Sequence, residues 1–109
     1  MNDFGLDADE MATIRSIFAA YSEIETAVLY GSRATGRFRP GSDVDLVLTG
    51  KHLTDRTILD VRAAFGDSNL PYFFDIVADK EIRDENLKKE IHATKRLLYV
   101  LEKTARSTG

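Results

Sequence analysis

Apolar residues recur at two different spacings along this chain, and the spacings predict its regular elements. A spacing of three to four residues, which is the period of an amphipathic helix, runs through three segments: 9–22, 54–65 and 84–95. Short β-prone runs, each bounded by glycine, proline or polar residues, fill three more: 26–30, 43–49 and 71–78. Residues 33–42 show little periodicity and hold two glycines and one proline, so they predict a loop.

The order of these elements predicts the class of fold. Helix, strand, loop, strand, helix, strand and helix together favour an α/β (α+β) domain, in which a small mixed sheet has its helices packed on one face. The last apolar run, 97–101, fits an edge strand, a buried helix end or a partner surface, and the pattern leaves all three open. A chain of 109 residues can bury one core, so we expect a single domain over 1–109 with a frayed tail at 104–109.

Composition limits the classes of protein to which the chain can belong. Hydrophobic residues make up 43% of it and charged residues 30%, as in ordinary globular domains. No apolar run approaches the roughly 18 residues that a membrane span needs. The N-terminus carries acids where a signal peptide carries basic residues. We therefore expect a cytoplasmic protein without membrane association.

Charge and the missing cysteine narrow the possible ligands. The formal net charge of −3 argues against a protein that binds bulk nucleic acid, because neutralising a phosphate backbone needs a basic surface. A nucleotide is not excluded, since one loop, a couple of arginines and metal ions can hold its few phosphates. With no cysteine and two distant histidines, the sequence has no recognisable zinc site. Any bound metal must therefore be held by carboxylates.

Three aspartates form the candidate metal site. Asp43 and Asp45 lie two positions apart at the start of a predicted strand, so their side chains project from the same side of it. Asp75 lies within the apolar run 71–78, where a buried charge would be costly without a partner or a metal. If the two strands are neighbours, the three carboxylates converge on one site. Oxygen-only sites of this kind suit Mg²⁺ or Mn²⁺.

A glycine and a serine precede these acids and complete the candidate site. Gly31 and Ser32 end the first predicted strand abruptly, and such a corner exposes backbone N–H groups and a hydroxyl that can bind phosphate. Glycine also lets the backbone approach a ligand closely. Carboxylates for metal ions beside donors for phosphate groups favour nucleotidyl transfer, in which metal ions activate a hydroxyl and stabilise the leaving pyrophosphate.

The spacing of these groups resembles a known signature. GSRATG at 31–36 followed by GSDVDL at 41–46 is similar to the motif of the polymerase-beta-like nucleotidyltransferases, above all their smallest branch, the minimal nucleotidyltransferases of bacteria and archaea. The resemblance spans roughly 26–77. It implies that Gly31 and Ser32 hold the β and γ phosphates of a nucleoside triphosphate. Arg33 falls where the family often has a basic residue near the phosphates.

The same resemblance implies the roles of the acids and the reaction. Asp43 and Asp45 would ligate two metal ions, either Mg²⁺ or Mn²⁺. Asp75 would bind the catalytic metal and help to deprotonate the acceptor hydroxyl. The implied activity is Mg²⁺-dependent transfer of a nucleoside monophosphate, AMP from ATP, to a hydroxyl acceptor.

Larger relatives bind the acceptor with extra domains that are not found in this sequence. In the minimal branch, the implied acceptor is a tyrosine of a small helical HEPN-type protein encoded nearby, which is a toxin that the nucleotidyltransferase silences as its antitoxin. Homo-oligomers and hetero-oligomers are both compatible with this implication. Two alternatives stay open, namely transfer to a small hydroxyl compound with a separate substrate-binding subunit, and a catalytically silent subunit that occludes its partner.

Some of these residues also have structural interpretations. Asp75 could pair with a structural arginine, and Arg62 and Arg96 are the candidates. Arg37 and Arg39 fit a solvated loop as well as they fit a phosphate site. The sequence alone does not separate these alternatives.

Overall fold

The protein is described by a computed structural model over residues 4–102. Four helices and four strands follow one another in the order α1 (Ala8–Ala19), β1 (Thr26–Tyr30), α2 (Ser32–Thr35), β2 (Val44–Thr49), α3 (Asp55–Asp67), β3 (Phe74–Ala78), α4 (Glu85–Thr94) and β4 (Arg96–Val100). A short 3₁₀ turn, Asp79–Glu81, follows β3. The tail that we expected to fray, 104–109, lies outside the described residues.

The four strands form one mixed sheet in the order β3-β2-β1-β4. Strand β1 is antiparallel to both of its neighbours, and β2 runs parallel to β3. The small mixed sheet expected from the sequence is therefore confirmed. The apolar run at 97–101 lies in β4, an edge strand, except for its last residue, so the run is not a helix end.

Helices cover both faces of this sheet. Helices α1 and α3 pack on the face that carries Leu29 and Leu46. Helix α4 places Ile91 against Tyr30 and Val47, which point the opposite way because side chains alternate along a strand. The expectation of helices on one face thus holds for α1 and α3, whereas α4 lies on the other. The central strands are apolar on both sides, so both faces need a cover.

Local capping fixes where the long helices begin. Asp7 and Glu10 form a reciprocal capping box at the start of α1, in which each side chain accepts a hydrogen bond from the other's backbone N–H, at 2.8 and 3.0 Å. Thr54 caps α3, and Asp84 caps α4.

Among residues 4–102, no helix is long and apolar enough to cross a membrane.

Candidate active site

Two of the three predicted acids are direct neighbours in the sheet. The parallel register of β2 and β3 pairs Asp45 with Asp75, and strands in a sheet lie about 4.8 Å apart. Asp43 immediately precedes β2, two residues before Asp45. Asp45 is half-buried, whereas Asp43 and Asp75 are exposed. Although Asp75 lies within an apolar run of the sequence, it is exposed, and its place beside Asp45 is what links it to the site.

Burial and crowding of negative charge shift the pKa of two groups at this site, Asp45 and Tyr30. Burial, followed by the negative charges of Asp75, Asp43 and Glu90, raises the pKa of Asp45 above its ordinary value. Tyr30 lies beside Asp45 on β1. Burial, with the charges of Asp45, Asp75 and Glu90, raises the pKa of Tyr30 to about 12. The site therefore carries a strongly negative local field.

Gly31 brings the Gly–Ser corner into contact with the acids. Its backbone has φ +79° and ψ −150°, a conformation that is essentially restricted to glycine. A Cβ atom placed on Gly31 would lie 3.0 Å from the Oδ2 atom of Asp45. The chain turns here from β1 into α2, whose first residue is the half-buried Ser32. The structure thus brings together the corner and the acids that the sequence predicted for one site.

Helix α4 contributes two groups that the sequence analysis missed. The carboxylate of Glu90 lies 3.8 Å from the same virtual Cβ position of Gly31, so a fourth acid borders the site. The Gly31 N–H donates a hydrogen bond of 3.1 Å to the Thr94 hydroxyl. Both residues lie on the side of α4 that carries Leu87 and Ile91. Their spacing from these apolar residues was the sequence signal that could have placed them on the face of α4 that packs on the sheet. Without the position of α4, Glu90 is indistinguishable from its exposed charged neighbours.

Arg33 is placed differently from the other predicted residues, because its guanidinium group is directed into the protein. Its Nε and Nη2 atoms donate to the Ser42 carbonyl oxygen at 3.1 and 2.8 Å, and Nη1 donates to the Phe4 carbonyl oxygen at 3.0 Å. The guanidinium also lies 5.1 Å from the ring centre of Phe38 and 4.7 Å from that of Tyr72. Only 2% of Arg33 is exposed. Arg33 therefore holds the loop that leads to the acids, and a phosphate would have to break these contacts to reach it.

Comparisons with known proteins identify the family of this chain. The family described as "Polymerase beta, Nucleotidyltransferase" matches residues 12–104. This chain belongs to the polymerase beta nucleotidyltransferase family. No curated protein matches it significantly.

Solved structures share the nucleotidyltransferase fold of this chain at low sequence identity. One, a toxin–antitoxin structure with AMP-PNP, has a TM-score of 0.68 and 16% identity, covering 84% of this chain and 74% of the other. A mutant of the MntA-HpeT toxin–antitoxin has a TM-score of 0.62 and 12% identity over 89% and 75% of the two chains. The complex of the tri-AMPylated Shewanella oneidensis HEPN toxin with its MNT antitoxin has a TM-score of 0.61 and 14% identity over 83% and 69%.

Nucleotidyltransferases of this family generally use a divalent metal ion and a nucleoside triphosphate. The donor chemistry of this chain fits such an ion, because aspartate oxygens are preferred Mg²⁺ ligands. A cation would also offset the negative charges that, together with burial as the larger cause, raise the pKa of Asp45. Among residues 4–102, no three acidic or histidine side chains lie close enough together to hold a metal ion without some rearrangement. The residues that would hold the ion are Asp43, Asp45 and Asp75.

Structural arginines do not account for Asp75. Arg62 donates through Nε and Nη2 to the Ile76 carbonyl oxygen, at 3.2 and 2.7 Å. The ion pairs within residues 4–102 join Arg56 to Asp60 and Lys88 to Glu85, and neither includes Asp75. The pairing of Asp75 with Arg62 or Arg96, which the sequence left open, is therefore not found within residues 4–102.

Removal of the Arg33 side chain is expected to destabilise the protein. Arg33→Ala leaves the Ser42 and Phe4 carbonyl oxygens without these donors, and a lost buried charge-assisted contact costs about 2–4 kcal/mol. Urea denaturation measures this loss. The matched control is Arg37→Ala, which removes an exposed arginine from the same loop and should change stability by less than about 0.5 kcal/mol. Equal effects of the two changes would contradict the structural role of Arg33.

Proposed function

We propose that this chain is a Mg²⁺-dependent nucleotidyltransferase that transfers AMP from ATP to a tyrosine hydroxyl of a HEPN-type toxin, and so acts as its antitoxin. The observation that carries the proposal is the contact between the Gly31 corner and Asp45, which itself pairs with Asp75. Donors for phosphate thus lie directly against ligands for a metal ion. That juxtaposition is what transfer of a nucleotidyl group requires.

The chemistry assigned to the site is an in-line substitution at the α-phosphorus of ATP. The acceptor oxygen forms a bond to that phosphorus, the bond to the β-phosphate oxygen breaks, and pyrophosphate leaves. When bound, divalent metal ions neutralise phosphate charge and lower the pKa of the attacking hydroxyl. Asp75 is assigned to accept the hydroxyl proton, because it is the exposed member of the Asp45–Asp75 pair. Ser32 is assigned to orient the phosphates from the corner.

The choice of AMP and of a HEPN-type acceptor is supported by the similar structures. One of them contains AMP-PNP, and another pairs an MNT antitoxin with a tri-AMPylated HEPN toxin. Identities of 16% and 14% establish a shared fold, so the acceptor and the nucleotide are proposals for this chain.

Two alternative functions make different demands on these residues. A small hydroxyl compound could be the acceptor if a separate subunit binds it. A silent subunit that only occludes its partner would need no metal ligands, and the presence of Asp43, Asp45 and Asp75 counts against it.

Intact-mass measurement on the protein encoded beside this chain separates these functions. We expect that incubation with the chain, ATP and Mg²⁺ adds one or more AMP masses to the partner. The double variant Asp43→Ala/Asp45→Ala should add none, whereas a matched control that removes two exposed acids outside the site, Asp67→Ala/Asp79→Ala, should behave like wild type. A stable complex without any mass shift would instead support occlusion or a small-molecule acceptor.

A further inference from the structure

The Thr94 hydroxyl connects the end of α4 to the Gly–Ser corner. It donates to the Glu90 carbonyl oxygen within its own helix at 2.8 Å. Because its hydrogen is used there, a lone pair remains for the Gly31 N–H, which donates to it at 3.1 Å. The two residues lie 63 positions apart in the sequence. The bond within the helix is a common local pattern, whereas the bond to Gly31 joins separate parts of the fold.

Both backbone polar groups of Gly31 are therefore engaged. Its carbonyl oxygen accepts from the Thr35 N–H at 3.2 Å, which closes the first turn of α2. Its N–H is held by Thr94 and so is not free to donate to a phosphate group. The neighbouring Ser32 hydroxyl makes no hydrogen bond within residues 4–102, and Ser32 is half-buried. Of the two corner residues, Ser32 is thus the one with a donor available.

We propose that Thr94 is a positioning residue for nucleotide binding, which fixes the Tyr30–Gly31 peptide and with it the Gly–Ser corner, so that Ser32 contacts the phosphates of the nucleotide. The inference rests on the proposed function. A glycine has no side chain to restrict its own backbone, so without Thr94 the peptide at Gly31 samples further orientations. The expected consequence is weaker nucleotide binding and a higher KM for ATP, with a smaller change in kcat.

Hydroxyl-deleting and hydroxyl-preserving variants test this role. Thr94→Val keeps the shape of the side chain but removes the hydroxyl, and Thr94→Ser keeps the hydroxyl. We expect Thr94→Val to weaken the affinity for a non-hydrolysable ATP analogue by about tenfold, in line with the loss of one hydrogen bond. Thr94→Ser should stay within about twofold of wild type. Calorimetric titration gives the affinities, and steady-state transfer gives KM and kcat separately.

Thr13→Val is the matched control, because Thr13 makes the same type of bond to the Asp9 carbonyl oxygen, at 3.0 Å, on the exposed side of α1. Exchange of the Gly31 amide hydrogen is a second readout that does not depend on activity. It should accelerate in Thr94→Val, and also in Thr94→Ala should the valine variant fail to fold, but not in Thr94→Ser or Thr13→Val.

The outcomes separate this inference from the proposed function. Wild-type protein that binds the ATP analogue, together with a Thr94→Val variant that binds it equally well, would overturn the inference alone. An equal loss of affinity in Thr94→Ser and Thr94→Val would also overturn it, since the hydroxyl would not be the cause. Wild-type protein that binds no ATP analogue would overturn the proposed function and this inference with it.

Discussion

Asp45→Asn is expected to abolish nucleotidyl transfer and, at the same time, to stabilise the metal-free protein. Metal ions contribute several kcal/mol to such reactions, and each 1.4 kcal/mol corresponds to about tenfold in rate, so loss of this ligand should slow transfer by about a thousandfold or more. Stability should move in the opposite direction, because the neutral amide is not repelled by Asp75, Asp43 and Glu90. Transfer assays and thermal unfolding of the same preparations measure both effects.

The sign of the stability change follows from the raised pKa of Asp45. The folded protein binds the Asp45 proton more tightly than the unfolded chain does, so stability falls as pH rises from the unfolded pKa through the folded one. The loss persists at neutral pH. Like charges on neighbouring strands cost up to about 1 kcal/mol, which is the gain expected for Asp45→Asn at pH 7.

Thermal unfolding in a metal chelator from pH 3.5 to 7.5 checks this prediction. The advantage of Asp45→Asn over wild type should grow through that range and vanish at its acidic end. Asp67→Asn, which neutralises an exposed acid at the end of α3, is the control and should show no such dependence. An Asp45→Asn variant that is less stable than wild type at pH 7 would show that the acids do not repel one another as described.

Gly31→Ala is expected to damage both the fold and the site. Its φ of +79° with ψ of −150° is strained for any residue with a side chain, and the new Cβ would press on the Asp45 carboxylate at 3.0 Å. The combined cost should reach at least about 2 kcal/mol, and displacement of Asp45 should remove most of the transfer activity. Urea denaturation and the transfer assay measure the two effects.

Gly36→Ala separates backbone strain from the contact with Asp45. Gly36 also has a positive φ, +83°, but a Cβ placed on it meets no atom within 4 Å. The change should cost about 1 kcal/mol of stability and leave transfer close to wild type. If Gly31→Ala and Gly36→Ala have the same effect on transfer, the close approach of Gly31 to Asp45 is not important for activity.

Much of the fold was predictable, because strong local patterns mark its long elements. The segments 54–65 and 84–95 predict α3 and α4 closely, and a glycine directly follows both β1 and β2. The register that pairs Asp45 with Asp75 was not predictable, because it depends on contacts between strands that no local pattern encodes. The face of the sheet on which α4 packs was also not predictable. An amphipathic pattern shows that a helix is packed against something, but not on which side of the sheet.

The residues of the candidate site likewise divide into those that a local pattern predicts and those whose position depends on packing. The corner at Gly31 and the acids at 43 and 45 could be predicted because the chemistry and the spacing lie within one short segment. The position of Arg33 could not, since a long side chain in a glycine-rich loop can reach a ligand or fold back onto carbonyl oxygens. Glu90 was missed for a related reason, because its proximity to Asp45 arises only when α4 packs across Tyr30.

Because Thr94 lies so far along the chain, biosynthesis sets the order in which the site is assembled. A ribosome makes the corner and all three aspartates before it reaches the last turn of α4. A nascent chain that has emerged only as far as Asp75 therefore carries the whole signature without the hydroxyl that holds Gly31 in place. If Thr94 positions the corner as proposed, full affinity for a nucleotide is expected only after α4 has docked against the sheet.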